Sequence, residues 1–217
     1  MMQQPRAAAE STTQRIEAFS DGVFAIAITL LVLEIRVPEL HADADSLVAA
    51  LLGLWPSYFG YVFSFLMIGI YWANHHYIFQ LYERSNHVFV LLNVFFLMCI
   101  SFLPFPTAVL AGYITDAQRQ QTAITFYAFG LLLPAFAWLL TWLYASCGHR
   151  LLHEHLDDGF ISHLTRQYIL SNVLYLAAML LSLWNGMAGL GLCVGLSLLY
   201  LLPSRAPVFR QGSPLLD

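Results

Sequence analysis

Residues 16–35 read IEAFSDGVFAIAITLLVLEI, and this run decides the fold. A helix that crosses the hydrocarbon core of a bilayer needs about 20 mostly apolar residues. Arg36 and Pro38 end the run, and similar stretches follow at about residues 47–72, 88–114, 123–146, 168–184 and 186–202. Asn185 and Gly186 predict a tight turn between the last two. The sequence therefore predicts an all-α membrane protein with six transmembrane helices.

The composition supports a membrane environment. Of the 217 residues, 59% are hydrophobic and 10% are charged, whereas about a quarter are charged in a typical soluble domain. The formal net charge of -4 gives no basic face for nucleic acid. Cys99, Cys147 and Cys193 are odd in number and widely spaced, so they predict buried free thiols rather than disulfides or a zinc site.

The arginines predict the topology. An even number of spans places both termini on one side, and cytoplasmic loops carry an excess of basic residues. With the termini inside, only Arg36 and Arg119 lie outside, and the cytoplasmic set is Arg6, Arg15, Arg84, Arg150, Arg166, Arg205 and Arg210. We therefore expect cytoplasmic tails at residues 1–14 and 203–217 around a membrane domain of residues 15–202. Acidic residues in the first outer loop (Glu39, Asp43 and Asp45) either attract cations or are merely solvated.

The first helix carries a polar residue that is expensive in a membrane. Asp21 lies inside the apolar run, and a buried carboxylate needs partners. The second helix offers two donors near the same end, the indole of Trp72 and the imidazole of His75. We expect both to hydrogen-bond Asp21.

An aliphatic stripe lies on the other side of the same helix. At about 100° per residue, Leu30 lies about 40° and Leu33 about -20° from Ile26, whereas Asp21 lies about -140° away. Either this stripe packs as core in its own subunit, or it faces something narrow.

Two further segments have a local interpretation. Pro104 and Pro106 remove two amide donors, so a kink or a short unwound stretch is expected in the third helix. His149 and His153 have a zinc-compatible spacing in the polar segment 148–158, but nothing completes a ligand set, and a solvated connector is the favoured interpretation.

Three motifs resemble those of the transmembrane-protein-175 family of potassium channels, whose animal members are lysosomal. The resemblance covers about residues 15–202 and six helices match one family repeat. The motifs are Arg15-x-x-x-Phe19-Ser20-Asp21, Trp72-x-x-His75-x-x-x-Phe79, and Phe102-Leu103-Pro104-Phe105 followed by Thr107.

The resemblance implies a prokaryotic single-repeat channel in the plasma membrane, assembled with lipid around it as a homotetramer whose first helices line the pore. Ile26, Leu30 and Leu33 match the family's constriction, with Thr29 in the place of a polar ring. No cofactor is implied, and potassium is the permeant ion. The matching inner network comprises Arg15, Phe19, Ser20, Asp21, Trp72 and His75.

The segment TVGYG is absent, so a filter of backbone carbonyls is not implied. Selection would come from dehydration at an apolar ring, because potassium sheds water more readily than sodium. One alternative is a proton-coupled transporter of small solutes in which Asp21 and His75 relay protons. Another is a membrane enzyme that uses the segment from His149 to Asp158. The resemblance favours the channel and predicts no enzymatic activity.

Overall fold

The computed structural model describes residues 4–39, 46–201 and 207. Within these ranges the chain is helical, with one isolated antiparallel bridge between Tyr82 and Leu152. The first helix ends in a 3₁₀ turn at Leu31–Glu34. The α-helices are α1 (Gln4–Leu30), α2 (Leu47–Gly53), α3 (Trp55–Phe79), α4 (His87–Phe102), α5 (Pro104–Tyr113), α6 (Gln120–Ser146), α7 (Asp158–Ser182) and α8 (Gly186–Leu199).

Each predicted apolar stretch coincides with one helix or a consecutive pair of helices. Among the described residues, three stretches are long and apolar enough to cross a membrane: Thr13–Glu34, His87–Tyr113 and Gln120–His149. A fourth is added if α2 and α3, bent by 44° where they meet, form one span. Polar side chains interrupt α7, and α8 has only 14 residues, about 21 Å of helix against a hydrocarbon core of about 30 Å. The number six therefore stays a prediction.

The predicted tails can also be compared with the structure. α1 begins at Gln4, so most of the predicted N-terminal tail is helical and continuous with the first span. The predicted C-terminal tail, apart from Pro207, lies outside the described residues.

The proline pair interrupts the third span without unwinding it. α4 ends at Phe102 and α5 begins at Pro104, while Leu103 between them keeps helical angles of φ -55° and ψ -35°. Its amide bonds to the Ile100 carbonyl at 3.1 Å, as in a tighter 3₁₀ turn. The expected kink is therefore present only as a change in the hydrogen-bond pattern at Leu103. The chain remains helical through this residue.

The main core lies between α3 and the later helices. α6 contacts α4, α5, α7 and α8, whereas α1 packs on α3 and α4 at one side. The predicted turn between α7 and α8 is present: Asn185 caps α8 by accepting from the Ala188 amide at 3.0 Å. A Cβ on Gly186 would lie 3.3 Å from the Gln121 Cα, so glycine lets this turn approach α6.

A second core closes the end of the subunit where the loop after α3 meets the loop after α6. The Glu83 amide donates to the Leu151 carbonyl at 2.9 Å, and the His153 amide donates to the Leu81 carbonyl at 3.2 Å. Leu151, Leu152 and Leu156 are buried there. The interpretation of residues 148–158 as a solvated connector was therefore wrong for the leucines, which pack beneath the helices.

The cysteine prediction was correct at two of three positions. Cys99 and Cys193 are buried free thiols, whereas Cys147 is exposed. Cys147 follows the last residue of α6, where the chain turns away from the core towards Gly148.

Candidate functional site

One face of the first helix is buried against the rest of the chain. Ser20, Phe24, Ala27 and Leu31 are at most 1% exposed, and their spacing of four, three and four residues traces a single helical stripe. Phe24 lies 5.4 Å from the His75 ring and 6.1 Å from the Phe96 ring, measured between centroids. This stripe joins α1 to α3 and α4.

The aliphatic stripe lies on the other face and has no packing partner within the subunit. Ile26 is 61% exposed, Leu30 41% and Leu33 68%. Thr29 is also exposed, and Phe19 continues the face towards the N-terminal end. The interpretation of this stripe as core of its own subunit is therefore wrong.

The 3₁₀ turn at Leu31–Glu34 aligns the C-terminal part of the stripe. Residues three apart eclipse one another in a 3₁₀ helix, so the turn brings Leu33 into line with Leu30. The 3₁₀ rise is about 2.0 Å per residue, which places Leu33 about 12 Å along the axis from Ile26 instead of the about 10 Å of a continuous α-helix. The chain then becomes extended at Ile35.

Thr29 adds a polar atom to the stripe. Its hydroxyl donates to the Ile26 carbonyl at 2.9 Å. Because the proton is bonded within the helix, the oxygen can offer its two lone pairs to a cation or to water.

Two polar contacts join the exposed edges of α1 and α3. The Trp72 indole donates to the Asp21 carboxylate at 2.9 Å, as the sequence predicts. Four residues away on each helix, His76 Nδ1 lies 2.7 Å from Glu17 Oε1. Trp72 is 46% exposed. The Asp21–Trp72 pair therefore lies beside the exposed face of α1 and not deep within the chain.

His75 has a different partner from the one that the sequence predicts. Its Nε2 lies 3.1 Å from Asn93 Oδ1, not against Asp21. The Asn93 amide donates to Ser20 Oγ at 3.0 Å, and Ser20 donates to the Ile16 carbonyl at 2.8 Å. Since the Asn93 amide nitrogen is the donor on one side, its oxygen accepts on the other, and His75 Nε2 carries the proton. These buried bonds link α1, α3 and α4.

The surroundings of the His75 ring are aromatic. The ring stacks on Phe79 with centroids 4.2 Å apart and lies parallel to Phe96 at 6.0 Å. Its Nδ1 has no hydrogen-bond partner among the residues that the structure describes. A charge here would lack a carboxylate contact and be desolvated, so the neutral imidazole is favoured.

The sequence interpretation missed Asn93. It is 3% exposed and connects Ser20 to His75. It is a single amide within the otherwise apolar run that follows His87 in α4. The argument applied to Asp21, that a polar side chain inside a membrane helix is costly and needs partners, would have identified Asn93.

Two residues of the first motif, Arg15 and Phe19, take no part in these hydrogen bonds. Arg15 is exposed, and no hydrogen bond or ion pair joins it to another described residue. Phe19 is 60% exposed on the same side as Ile26. Within this chain, the motif therefore divides into a packed part (Ser20), an edge contact (Asp21) and two exposed residues.

The third motif contributes a buried hydroxyl cluster beside the proline break. Thr107 donates to the Leu103 carbonyl at 2.8 Å. Ser64 Oγ lies 2.7 Å from Thr107 Oγ1 and 3.0 Å from the Tyr127 hydroxyl. This cluster connects α3, α5 and α6 beside the break.

The candidate metal ligands are distributed over separate ion pairs. His149 lies 2.7 Å from Asp158, and His153 lies 3.9 Å from Glu83. No group of three or more His, Cys, Asp or Glu side chains in the described part of the chain could hold a metal ion.

The segment that follows the first helix is only partly described. Glu34 is half-buried and Glu39 exposed, while Asp43 and Asp45 lie outside the described residues. At the loop between α5 and α6, the Arg119 guanidinium donates to Asp116 at 2.6 Å and lowers the pKa of that carboxyl.

Comparison with known proteins places this geometry in context. The family model described as endosomal/lysosomal potassium channel TMEM175 matches residues 15–104. A potassium channel of Chamaesiphon minutus is 43% identical over 198 residues, which cover 91% of this chain and 97% of that protein. A potassium channel of Streptomyces collinus is 41% identical over 143 residues, 66% of this chain and 69% of its own length.

A solved structure agrees in fold. The crystal structure of a lysosomal potassium-selective channel TMEM175 homolog from Chamaesiphon minutus superposes with a TM-score of 0.80 and 42% sequence identity. The match covers 90% of this chain and 100% of that chain.

Proposed function

This chain belongs to the endosomal/lysosomal potassium channel TMEM175 family, as its motifs indicate, and from that membership we propose that it is a passive, potassium-preferring cation channel. The observation that carries the proposal is the exposed aliphatic stripe of Ile26, Leu30 and Leu33 on a helix whose other face is fully packed. The family is one of channels, so no catalytic site is proposed.

The proposed assembly is a homotetramer around the exposed face of α1. Four copies of the stripe around one axis would form three stacked aliphatic rings. The 3₁₀ turn supports this arrangement, because it keeps Leu33 in line with Leu30. Thr29 would add a ring of hydroxyl oxygens between Ile26 and Leu30.

Ion preference follows from the chemistry of those rings. Aliphatic side chains offer a passing ion no ligands, so the ion either sheds part of its water or waits for the pore to wet. Potassium is dehydrated more easily than sodium and is therefore favoured. No cofactor is needed for such passage.

The proposed inner network has a structural role. The contact from Trp72 to Asp21 and the bonds among Ser20, Asn93 and His75 hold α1 at a fixed rotation against α3 and α4. A fixed rotation keeps the aliphatic stripe towards the axis. Arg15 and Phe19, exposed in the subunit, lie where they would meet a neighbouring subunit.

The proposed membrane arrangement has six spans, lipid around the outer helices, and both termini in the cytoplasm of a prokaryotic cell. The arginine distribution supports the orientation. α7 and α8, which are less apolar or shorter, complete the six by packing against α6.

A proton-coupled transporter is not favoured. A relay needs a chain of groups that exchange protons. His75 bonds to Asn93 and not to Asp21, and its second nitrogen has no partner among the described residues. The two groups that the alternative requires are therefore not connected.

The direct test is the reversal potential of purified protein in a planar bilayer under opposed potassium and sodium gradients. We expect a shift towards the potassium equilibrium potential. No current, or solute uptake coupled to a proton gradient, would refute the channel.

A substitution tests the pore face itself. Ile26→Asn should leave the protein assembled, raise conductance and reduce potassium preference, because the amide meets water and lets the ring wet more readily. Ile169→Asn is the matched control, since Ile169 is also exposed (45%) but lies on α7; its ion preference should be unchanged. Normal conductance and preference in assembled Ile26→Asn would remove Ile26 from the pore.

A further inference from the structure

A cavity with a mixed apolar and polar lining lies within the chain, away from the exposed face of α1. Its volume is about 50 Å³, and α3, α6, α7 and the residue after α8 enclose it. Trp138 and Tyr71 form part of its wall. Its polar lining comprises Asn74, Gln167, Ser171, Asn172, Tyr175 and Tyr200.

Two buried polar atoms in this lining lack a protein partner. Tyr175 is 1% exposed, and its hydroxyl makes no hydrogen bond with the described residues. Asn172 donates from Nδ2 to the Tyr168 carbonyl at 2.9 Å and to the Ala135 carbonyl at 3.1 Å, while its Oδ1 is buried and unpaired there. Because both amide hydrogens have acceptors, the orientation of the amide is fixed and its oxygen is the free end.

A serine of α8 lies near one of these two atoms. Ser197 lies close to Tyr175, and because its hydroxyl donates to the Cys193 carbonyl at 2.7 Å, it can offer the Tyr175 hydroxyl only an acceptor. Burying an oxygen without any partner is expensive. The Asn172 oxygen therefore needs a donor that the described protein residues do not supply, and the Tyr175 hydroxyl can accept from the same donor.

We propose that this cavity is a water-binding site. An internal water needs about 10–15 Å³ of such volume and two to four polar partners. The cavity has room for about three to five waters on this measure, which donate to Asn172 Oδ1 and bond to the Tyr175 hydroxyl. A lipid chain would leave both atoms unpaired. A cation would find no carboxylate among the lining residues.

The position of the site explains how water reaches it and what it does. Gln167 at the rim is exposed, which gives water a route from the surface. The bound waters supply Asn172 and Tyr175 of α7 with the hydrogen bonds that the described side chains leave unmade. None of the residues that line the site belongs to α1.

A matched pair of tyrosine variants tests the site in the assembled full-length protein. Tyr127 is also fully buried but has a protein partner, Ser64, at 3.0 Å. If Tyr175 is bonded to water, Tyr175→Phe should lower Tm by about 2–4 °C, as one lost hydrogen bond does in a chain of this size, and Tyr127→Phe should do the same. An unpaired Tyr175 hydroxyl would instead give an unchanged or higher Tm on removal, and that result overturns the proposal.

A map of the unaltered protein at a resolution that shows ordered water is the second test. We expect density within hydrogen-bond distance of both Asn172 Oδ1 and the Tyr175 hydroxyl. A dry cavity, or a Tyr175 hydroxyl that bonds directly to Ser197, would refute water binding even if the tyrosine variants fail to fold.

Discussion

Replacing Asn93 with leucine should destabilise the protein. Asn93 accepts from His75 and donates to Ser20, and all three side chains are buried. Leucine removes both bonds. Ser20 keeps its bond to the Ile16 carbonyl, but His75 is left with both ring nitrogens unpaired in an aromatic surrounding.

The expected magnitude follows from that orphaned ring. A buried donor without a partner costs about 1–3 kcal/mol. For a chain of 150–250 residues, 1 kcal/mol corresponds to about 2–4 °C in Tm, so Asn93→Leu should lower Tm by about 2–12 °C. Thermal unfolding of the detergent-solubilised assembly, followed by tryptophan fluorescence and size exclusion, measures this. Val94→Ala is the control on the same helix, at a 46% exposed position; it should change stability by less than about 0.5 kcal/mol.

A double variant separates the orphaned group from a packing defect. Asn93→Leu with His75→Phe removes both polar partners, which is close to neutral when the shapes are kept. Phenylalanine fits the aromatic cluster of Phe79 and Phe96. Stability should therefore recover relative to Asn93→Leu. The reasoning is refuted if Asn93→Leu has the same Tm as the unaltered protein. It is also refuted if the loss of Tm in the double variant equals the sum of the losses in Asn93→Leu and His75→Phe.

Three further predictions follow from other parts of the structure. Asp21→Ala or Trp72→Ala should lower the yield of assembled protein by losing about 1 kcal/mol at the α1–α3 edge, with ion preference unchanged in channel recordings; a stable variant altered only in preference would contradict this. Gly130→Ala should lower Tm because its Cβ would lie 2.7 Å from a proline ring of α5, whereas Gly112→Ala, with nothing within 4 Å, should not. A cysteine placed at residues 43–45 should react with a membrane-impermeant reagent in intact cells, and reaction only after permeabilisation would reverse the orientation.

The apolar runs located the helices because a spanning segment has to be apolar over its whole length. The same reasoning placed the interruption at Pro104, since a missing amide hydrogen is a local property of the chain. It also identified Asp21 as a residue in need of a partner, and Trp72 is that partner. The family motifs were readable for the same reason: they are short and lie at fixed spacing within single helices.

The partner of His75 could not be obtained in this way. Asp21 and Asn93 were both available in neighbouring helices, and only the rotation of α4 against α3 decides that the amide lies within reach of the imidazole. Likewise, Leu151 and Leu152 looked like part of a polar loop until the loop after α3 was found to pack against them.

The sequence by itself determined that the chain is helical, that it belongs in a membrane, and that Ile26, Leu30 and Leu33 share a face. Periodicity groups residues on a helix but carries no information about what lies opposite each group. The tertiary structure decided that Phe24, Ala27 and Leu31 face the subunit core and that the aliphatic stripe faces outwards, because α3 and α4 can cover only one side of α1.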